Sequence, residues 1–209
     1  MRKVITLDGP AGAGKGTLAR HIAEHFDLPY LDTGLIYRAL AQRLLAKDWQ
    51  GAPEQALQEA EAFQPDWLTQ EGLRSSEVGA AASQIASQPA VRRALLNFQR
   101  RFAQQPEGAV LDGRDTGTVV CPDAALKLYI VASLEIRAKR RLQELHEAGE
   151  RVTAQEVVEK IRQRDARDSG RTTAPMLPAR NAVILDSSNL SIHEVAAMVV
   201  ALVKARFSP

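Results

Sequence analysis

The residues with the plainest chemistry are Gly9-Pro10-Ala11-Gly12-Ala13-Gly14-Lys15-Gly16-Thr17. Glycines let a turn wrap an anion with its backbone N–H groups pointing inward, and Lys15 adds one ammonium for bridging phosphates. Gly9 through Thr17 are therefore expected to hold the phosphates of a nucleotide, though the loop alone does not tell a kinase from a GTPase switch or a motor. The usual pattern carries Ser or Thr directly after the lysine, where the hydroxyl binds Mg²⁺. Gly16 stands in that place here and Thr17 comes one later. Mg²⁺ is thus expected to be held mainly by ATP phosphates and water, with no side chain as a metal ligand, and Thr17 to bond a phosphate oxygen.

Three further groupings suit phosphate chemistry. In Asp32-Thr33-Gly34-Leu35-Ile36-Tyr37-Arg38 a hydroxyl and an arginine sit about one helical turn apart, and two readings stay open. The pair holds a second anion, or Thr33 caps a helix and Arg38 faces solvent. Asp112-Gly113-Arg114-Asp115 follows an apolar run, where phosphate-binding folds carry an acid that orients metal-bound water. Arg114 there suits bidentate contact with phosphate, and Asp115 suits a sugar or base. Arg164, Arg167 and Arg171 recur at helical spacing beside Gly170. A mobile, arginine-rich lid would neutralise the charge spread over a migrating phosphoryl group and expel water. His21, His25, His146 and His193 are scattered, so no general base stands out. An acceptor oxygen that is already ionised needs none, which favours a phosphorylated acceptor over a hydroxyl.

Those residues need a frame. Val4–Asp8, Leu28–Asp32, Ala109–Asp112, Leu126–Val131 and Ala182–Asp186 read as short buried strands. Helices are expected behind the glycine turn, where Leu18, Ile22 and Phe26 recur at helical spacing, and over about Leu35 to Lys47, Ala52 to Phe63, Glu77 to Ser87 and Val91 to Gln104, with Pro89 as an interruption. Three more follow Ser133, Thr153 and Ser191 as caps, Thr153 forming a capping box with Glu156. Val119-Val120 before Cys121 looks strand-like, and the stretch from Asp48 to Ser75 is the least readable. Strands alternating with helices predict an α/β fold with a five-stranded parallel sheet. Its ligands belong at the carboxyl ends of the strands, where the groupings above lie.

With 209 residues, 45% hydrophobic and 25% charged, the chain suits one well-packed globular domain. A formal net charge of +2 gives no argument for nucleic acid. The single cysteine, Cys121, allows no intrachain disulfide and fits a reducing, cytoplasmic setting. No apolar run is long enough to span a membrane, and Met1-Arg2-Lys3 leads directly into the first strand without a signal-like segment. The even spread of apolar faces predicts a monomer.

In this order the motifs resemble the bacterial cytidylate kinases, a branch of the nucleoside monophosphate kinases of the P-loop class. Besides the segments above, Ala81-Ala82-Ser83-Gln84, Pro89, Val91-Arg92, Gly117-Thr118-Val119-Val120, Ala174-Pro175 and Leu185-Asp186-Ser187 carry the likeness, which spans nearly the whole chain. The resemblance implies a three-layer P-loop fold in one unit over 1–209. Its core covers 1–34, 105–145 and 172–209, its acceptor-binding region about 35–104, and its lid about 146–171. It implies phosphoryl transfer from ATP to CMP and dCMP in pyrimidine nucleotide metabolism. Lys15, Arg114, Arg164 and Arg171 would act on the transferring group. Thr33 would meet the cytosine side, Arg38 and Arg114 the monophosphate, and Ser83 and Arg92 the ring, Arg92 also helping to exclude other bases. Asp115 would contact sugar or base, and Asp168 with Arg164 and Arg171 would reach the ribose and phosphates. Between Ala62 and Glu77 the chain is shorter than the resemblance leads one to expect, as though a sheet-rich insertion were missing. Two alternatives remain: a kinase for another monophosphate such as UMP, and a nucleotide-binding switch acting through a partner.

Overall fold

The computed structural model describes residues 2–207. Five strands form one all-parallel sheet: β1 (Lys3–Asp8), β2 (Tyr30–Asp32), β3 (Gly108–Asp112), β4 (Leu126–Val131) and β5 (Val183–Asp186), in the order β2-β3-β1-β4-β5. The helices are α1 (Lys15–Phe26), α2 (Thr33–Leu45), α3 (Pro53–Glu61), α4 (Ser76–Ile85), α5 (Pro89–Ala103), α6 (Leu134–Glu147), α7 (Ala154–Ser169) and α8 (Ile192–Phe207). A 3₁₀ turn at Pro65–Thr69 and a single π turn at Thr116–Val120 complete the described elements. No helix among the described residues is long and apolar enough to cross a membrane.

Alternation along the strands builds the layers. Val110 joins Ile5, Leu7, Leu128 and Ile130 in a core shared with Leu18 and Ile22 of α1 and Val199 and Val203 of α8. Its neighbours Ala109 and Leu111 point to the other core, where Leu40 of α2, Ile85 of α4 and Leu95 of α5 meet. Helices cover both faces, which is why the strands read as continuous apolar runs. A separate small cluster, with Leu145 of α6 and Val157 and Ile161 of α7, holds the α6–α7 pair together.

Most element ends follow the expected chemistry. Ser133 caps α6 by accepting from Ile136 N at 3.3 Å. The Thr153–Glu156 capping box opens α7, and Ser191 accepts from Glu194 N at the start of α8. Two expectations change. Pro89 does not interrupt: it is the first residue of α5, where its missing N–H costs nothing and its fixed φ suits the first turn. Val119-Val120 is not a strand, because the Asp8 carboxylate takes the N–H groups of Thr116 and Gly117 at 2.8 and 2.7 Å. The chain therefore turns, and Cys121 N closes it onto Thr116 O at 2.7 Å.

Strand register then sets the site. Leu7 and Asp32 both lie beside Asp112, so the ends of β1, β2 and β3 come out together. Gly9 makes the exit from β1 possible. Its φ is +136°, and a Cβ there would stand 2.1 Å from the Ile130 carbonyl oxygen, a backbone atom with no room to give. Gly9→Ala should destabilise the fold by more than about 3 kcal/mol, read as the loss in urea midpoint. A variant with an unchanged midpoint would show that the loop does not need this approach.

Candidate active site

Lys15 opens α1 only 6% exposed, and its ammonium donates to the Pro10 carbonyl at 2.7 Å, across the concave side of the glycine turn. Burial, then the positive charge of Arg114, lowers its pKa to about 7. Asp112 faces it electrostatically from the end of β3. Burial and the neighbouring Asp32 push the Asp112 carboxyl up to about 8, although it accepts from the Tyr30 hydroxyl at 3.3 Å. A Cβ on Gly16 would lie 3.2 Å from Asp112 Oδ2. The space that a hydroxyl side chain would fill after the lysine is therefore open to this carboxylate. A hydrated Mg²⁺ fits that donor set: one carboxylate for metal-bound water, and no cluster of three or more ligand side chains among the described residues. Asp8, 3% exposed, spends its carboxylate on Thr116 and Gly117, including the Thr116 hydroxyl at 2.8 Å.

Beyond the glycine loop, α2, α4, α5, α7 and the Gly113–Asp115 turn enclose a cavity lined by Thr33, Ser83, Arg92, Arg114, Asp115, Arg164, Asp168 and Arg171 among others. Thr33 donates its hydroxyl to the Asp112 carbonyl at 2.7 Å, so its lone pairs are left for a donor in the cavity. Arg92 pairs with Asp115, both nearly fully buried, and its guanidinium lies 5.6 Å from the Tyr37 ring centre. Asp168, 1% exposed, pairs with Arg171, with Arg114 at 2.9 Å and with Arg164 at 3.9 Å. Burial works against its charge, but Arg114 and the two other arginines hold its pKa below the ordinary carboxylate value. Arg164 has the opposite balance: burial and repulsion from Arg114 bring its pKa down to about 9. The Nε atoms of Arg164 and Arg171 are buried without a hydrogen-bond partner.

A family model described as cytidylate kinase matches residues 5–205. The chain belongs to the cytidylate kinase family. A relative from Xanthobacter autotrophicus named cytidylate kinase is 49% identical over 97% of this chain and 98% of its own length. One from Methylocella silvestris with the same name is 50% identical over 91% of this chain and 88% of its own. In fold, a solved structure of an uncharacterized Eubacterium ventriosum protein aligns with a TM-score of 0.59 at 13% identity, covering 98% of this chain and all of that one.

The cavity thus brings together Thr33, Ser83, Arg92, Arg114, Asp115, Arg164, Asp168 and Arg171 from four separate stretches of the chain. Arg38 is not on its wall. Its guanidinium instead donates to the carbonyls of Leu73 and Ser75, at 2.8 and 3.3 Å, against the Cβ-free face of Gly79. Burial and the charge of Arg141 lower its pKa to about 10. The four histidines are all exposed, and burial pushes the Cys121 thiol up to about 11, so neither residue type serves as a nucleophile or base here.

Arg137, Arg140 and Arg141, which stand in sequence with Lys139 and Arg151 as a basic segment, make contacts that the sequence did not specify. Arg137 donates to the Ala11 carbonyl at 3.2 Å and to Asp165 at 2.6 Å, linking the glycine loop to α7. Arg140 grips Ser187, whose hydroxyl donates to Ala13 O at 3.2 Å. Arg141 reaches the Arg74 carbonyl at 3.1 Å. The signal was present in the spacing of Arg137, Arg140 and Arg141 behind a capped helix start, but a charged helix face usually only meets water. Asp8 also carried a signal, as an acid closing an apolar strand.

The lowered pKa of Lys15 has a measurable consequence. Burial makes the free ammonium lose its proton above about pH 7, and bound phosphate anions restore the charged form. At about pH 9, where Asp112 is already ionised, ATP binding should take up about one proton. Calorimetry in two buffers of different ionisation enthalpy reads this uptake, which Lys15→Met should reduce by about one proton, leaving only the smaller share of Arg164. Binding heats independent of buffer would contradict the assignment.

Proposed function

We infer that this chain transfers the γ-phosphoryl group of ATP to CMP and dCMP, giving the nucleoside diphosphates and ADP. Family membership supports the reaction. The observation that carries it at the level of residues is an arginine-lined cavity beside a buried loop lysine, two gatherings of positive charge suited to two phosphate groups. The glycine loop, Gly9 to Thr17, binds the ATP phosphates through its amides and Lys15. Arg114, Arg164 and Arg171 offset the negative charge of the acceptor monophosphate and of the group in transit. The acceptor phosphate is already ionised, so the site needs position and charge and no base.

The base end is read by polar groups of opposite sense. Cytosine presents an amine donor next to a ring nitrogen and a carbonyl, both acceptors. Thr33 and Asp115 offer lone pairs to the amine, and the guanidinium of Arg92 donates to the acceptors. Ser83 completes the ring contacts. Uracil reverses the first two positions, leaving Asp115 opposite a carbonyl oxygen, a mismatch costly in a buried site. Asp168, with Arg171 and Asp115, reaches the sugar, and Arg38 joins the monophosphate by leaving the Leu73 and Ser75 carbonyls.

Mg²⁺, bound by the ATP phosphates and water, would supply charge neutralisation on the phosphates, with Asp112 as the residue to hold its water. We read residues 1–34, 105–145 and 172–209 as the core, about 35–104 as the acceptor-binding region and about 146–171 as the lid. The protein acts as a cytoplasmic monomer without nucleic-acid or membrane partners.

The test is ADP formation in a coupled assay with ATP, Mg²⁺ and, in turn, CMP, dCMP, UMP, AMP and GMP. Turnover should be confined largely to CMP and dCMP, and Lys15→Met should lower kcat by about 100-fold or more, the scale of losing one preorganised cation. Comparable rates with UMP or AMP would reassign the acceptor. Hydrolysis that no acceptor accelerates would favour a nucleotide-binding switch.

A further inference from the structure

Arg167 stands one residue before Asp168 near the end of α7, and it points to the opposite wall of the cavity. Its Nη1 donates to the Ser83 hydroxyl oxygen at 2.6 Å. Ser83, on α4 and only 4% exposed, makes no other side-chain hydrogen bond among the described residues. A serine inside a helix otherwise tends to turn its hydroxyl back to the carbonyl four residues earlier. Ser83 shows no such back-bond, and the Arg167 guanidinium takes one of its lone pairs in a charge-assisted bond. One O–H and one lone pair then remain for whatever occupies the cavity.

The next residue serves the other end. Asp168 pairs with Arg114 at 2.9 Å and with Arg171. Two consecutive residues of α7 thus touch two separate walls, Arg167 the Ser83 wall and Asp168 the arginines. We propose that Arg167 is a specificity-positioning residue, which orients the Ser83 hydroxyl toward the acceptor base and so couples closure of α7 to the identity of that base. This rests on the reading of Ser83 as a base contact. A base that engages Ser83 properly keeps the Arg167 bond, and with it the placement of Asp168 against Arg114. A base that pulls the hydroxyl elsewhere weakens both.

Loss of Arg167 leaves two other contacts between the α6–α7 pair and the start of α4. Glu150 still accepts from Ser76 N at 2.9 Å, and Arg141 still reaches Arg74 O at 3.1 Å. The variant therefore reports on the Ser83 contact.

The experiment measures kcat and KM for CMP and UMP in the full-length protein, with R167A, R167K, S83A and the S83A/R167A double variant. R167A should raise KM for CMP about 5- to 20-fold with kcat within about 3-fold, the size expected for one charged hydrogen bond, and should narrow the CMP-to-UMP ratio of kcat/KM. R167K should recover part of the loss. In the S83A background, R167A should cost less than about 2-fold more, because the group it orients is gone. Additive losses, or a fall in kcat with KM unchanged, would overturn the proposal. Wild-type behaviour of R167A beside an impaired S83A would overturn it and leave Ser83 as a base contact. An S83A variant with unchanged KM and base preference would overturn the base contact itself.

Discussion

Positive charge gathered beyond what nearby carboxylates neutralise is the constraint on which this structure depends. Lys15, Arg38, Arg92, Arg114, Arg137, Arg164 and Arg171 gather around Asp8, Asp32, Asp112, Asp115, Asp165 and Asp168. Asp168 is the keystone, since one carboxylate pairs with three arginines from two parts of the chain. The lowered pKa values of Lys15 and Arg164, both led by burial, show the cost of the arrangement. A buried cation without enough partners is unstable, and phosphate is the ligand that relieves it. Stability is thus spent to make the site receptive.

The fold exists to hold those charges at that spacing. The order β2-β3-β1-β4-β5 brings three strand ends together, and each delivers one piece: the glycine loop after β1, Thr33 after β2, and Asp112 to Asp115 after β3. Asp8 then commits its carboxylate to Thr116 and Gly117, fixing the turn just beyond Asp115. From the other side of the sheet, β4 leads through Ser133 into α6, whose Arg137 touches both the loop at Ala11 and α7 at Asp165. The glycine loop and α7 therefore share one side chain, which gives the two a direct mechanical link.

Much of this was legible from residue order alone. The five strands and the capped starts of α6, α7 and α8 follow from local patterns, apolar runs and capping residues, whereas Ser83, Arg92 and Asp168 were named only through the family resemblance. What was not legible came from contacts between distant residues. No local pattern tells that Asp8 will fold Thr116–Val120 into a π turn, since the two lie 108 residues apart. Arg38 was expected at a phosphate, yet it holds the Leu73 and Ser75 carbonyls, a pairing that depends on where the short connection before α4 runs. Arg167 was expected among the lid arginines that serve phosphate, yet it donates to the Ser83 hydroxyl, a contact that shows only once α7 is set against α4. Pro89 was misread for a local reason, because a proline before a helix and a proline opening one look alike in sequence.

The excess of buried positive charge can be tested without any turnover. The measurement is the thermal melting of the nucleotide-free protein with millimolar inorganic tripolyphosphate, set against the same concentration of cytidine, which carries the base and sugar but no phosphate. If unneutralised cations dominate the site, tripolyphosphate raises Tm by several degrees and cytidine by far less, because only the anion supplies the missing charge. A Tm that rises with cytidine and stays put with tripolyphosphate would contradict this account.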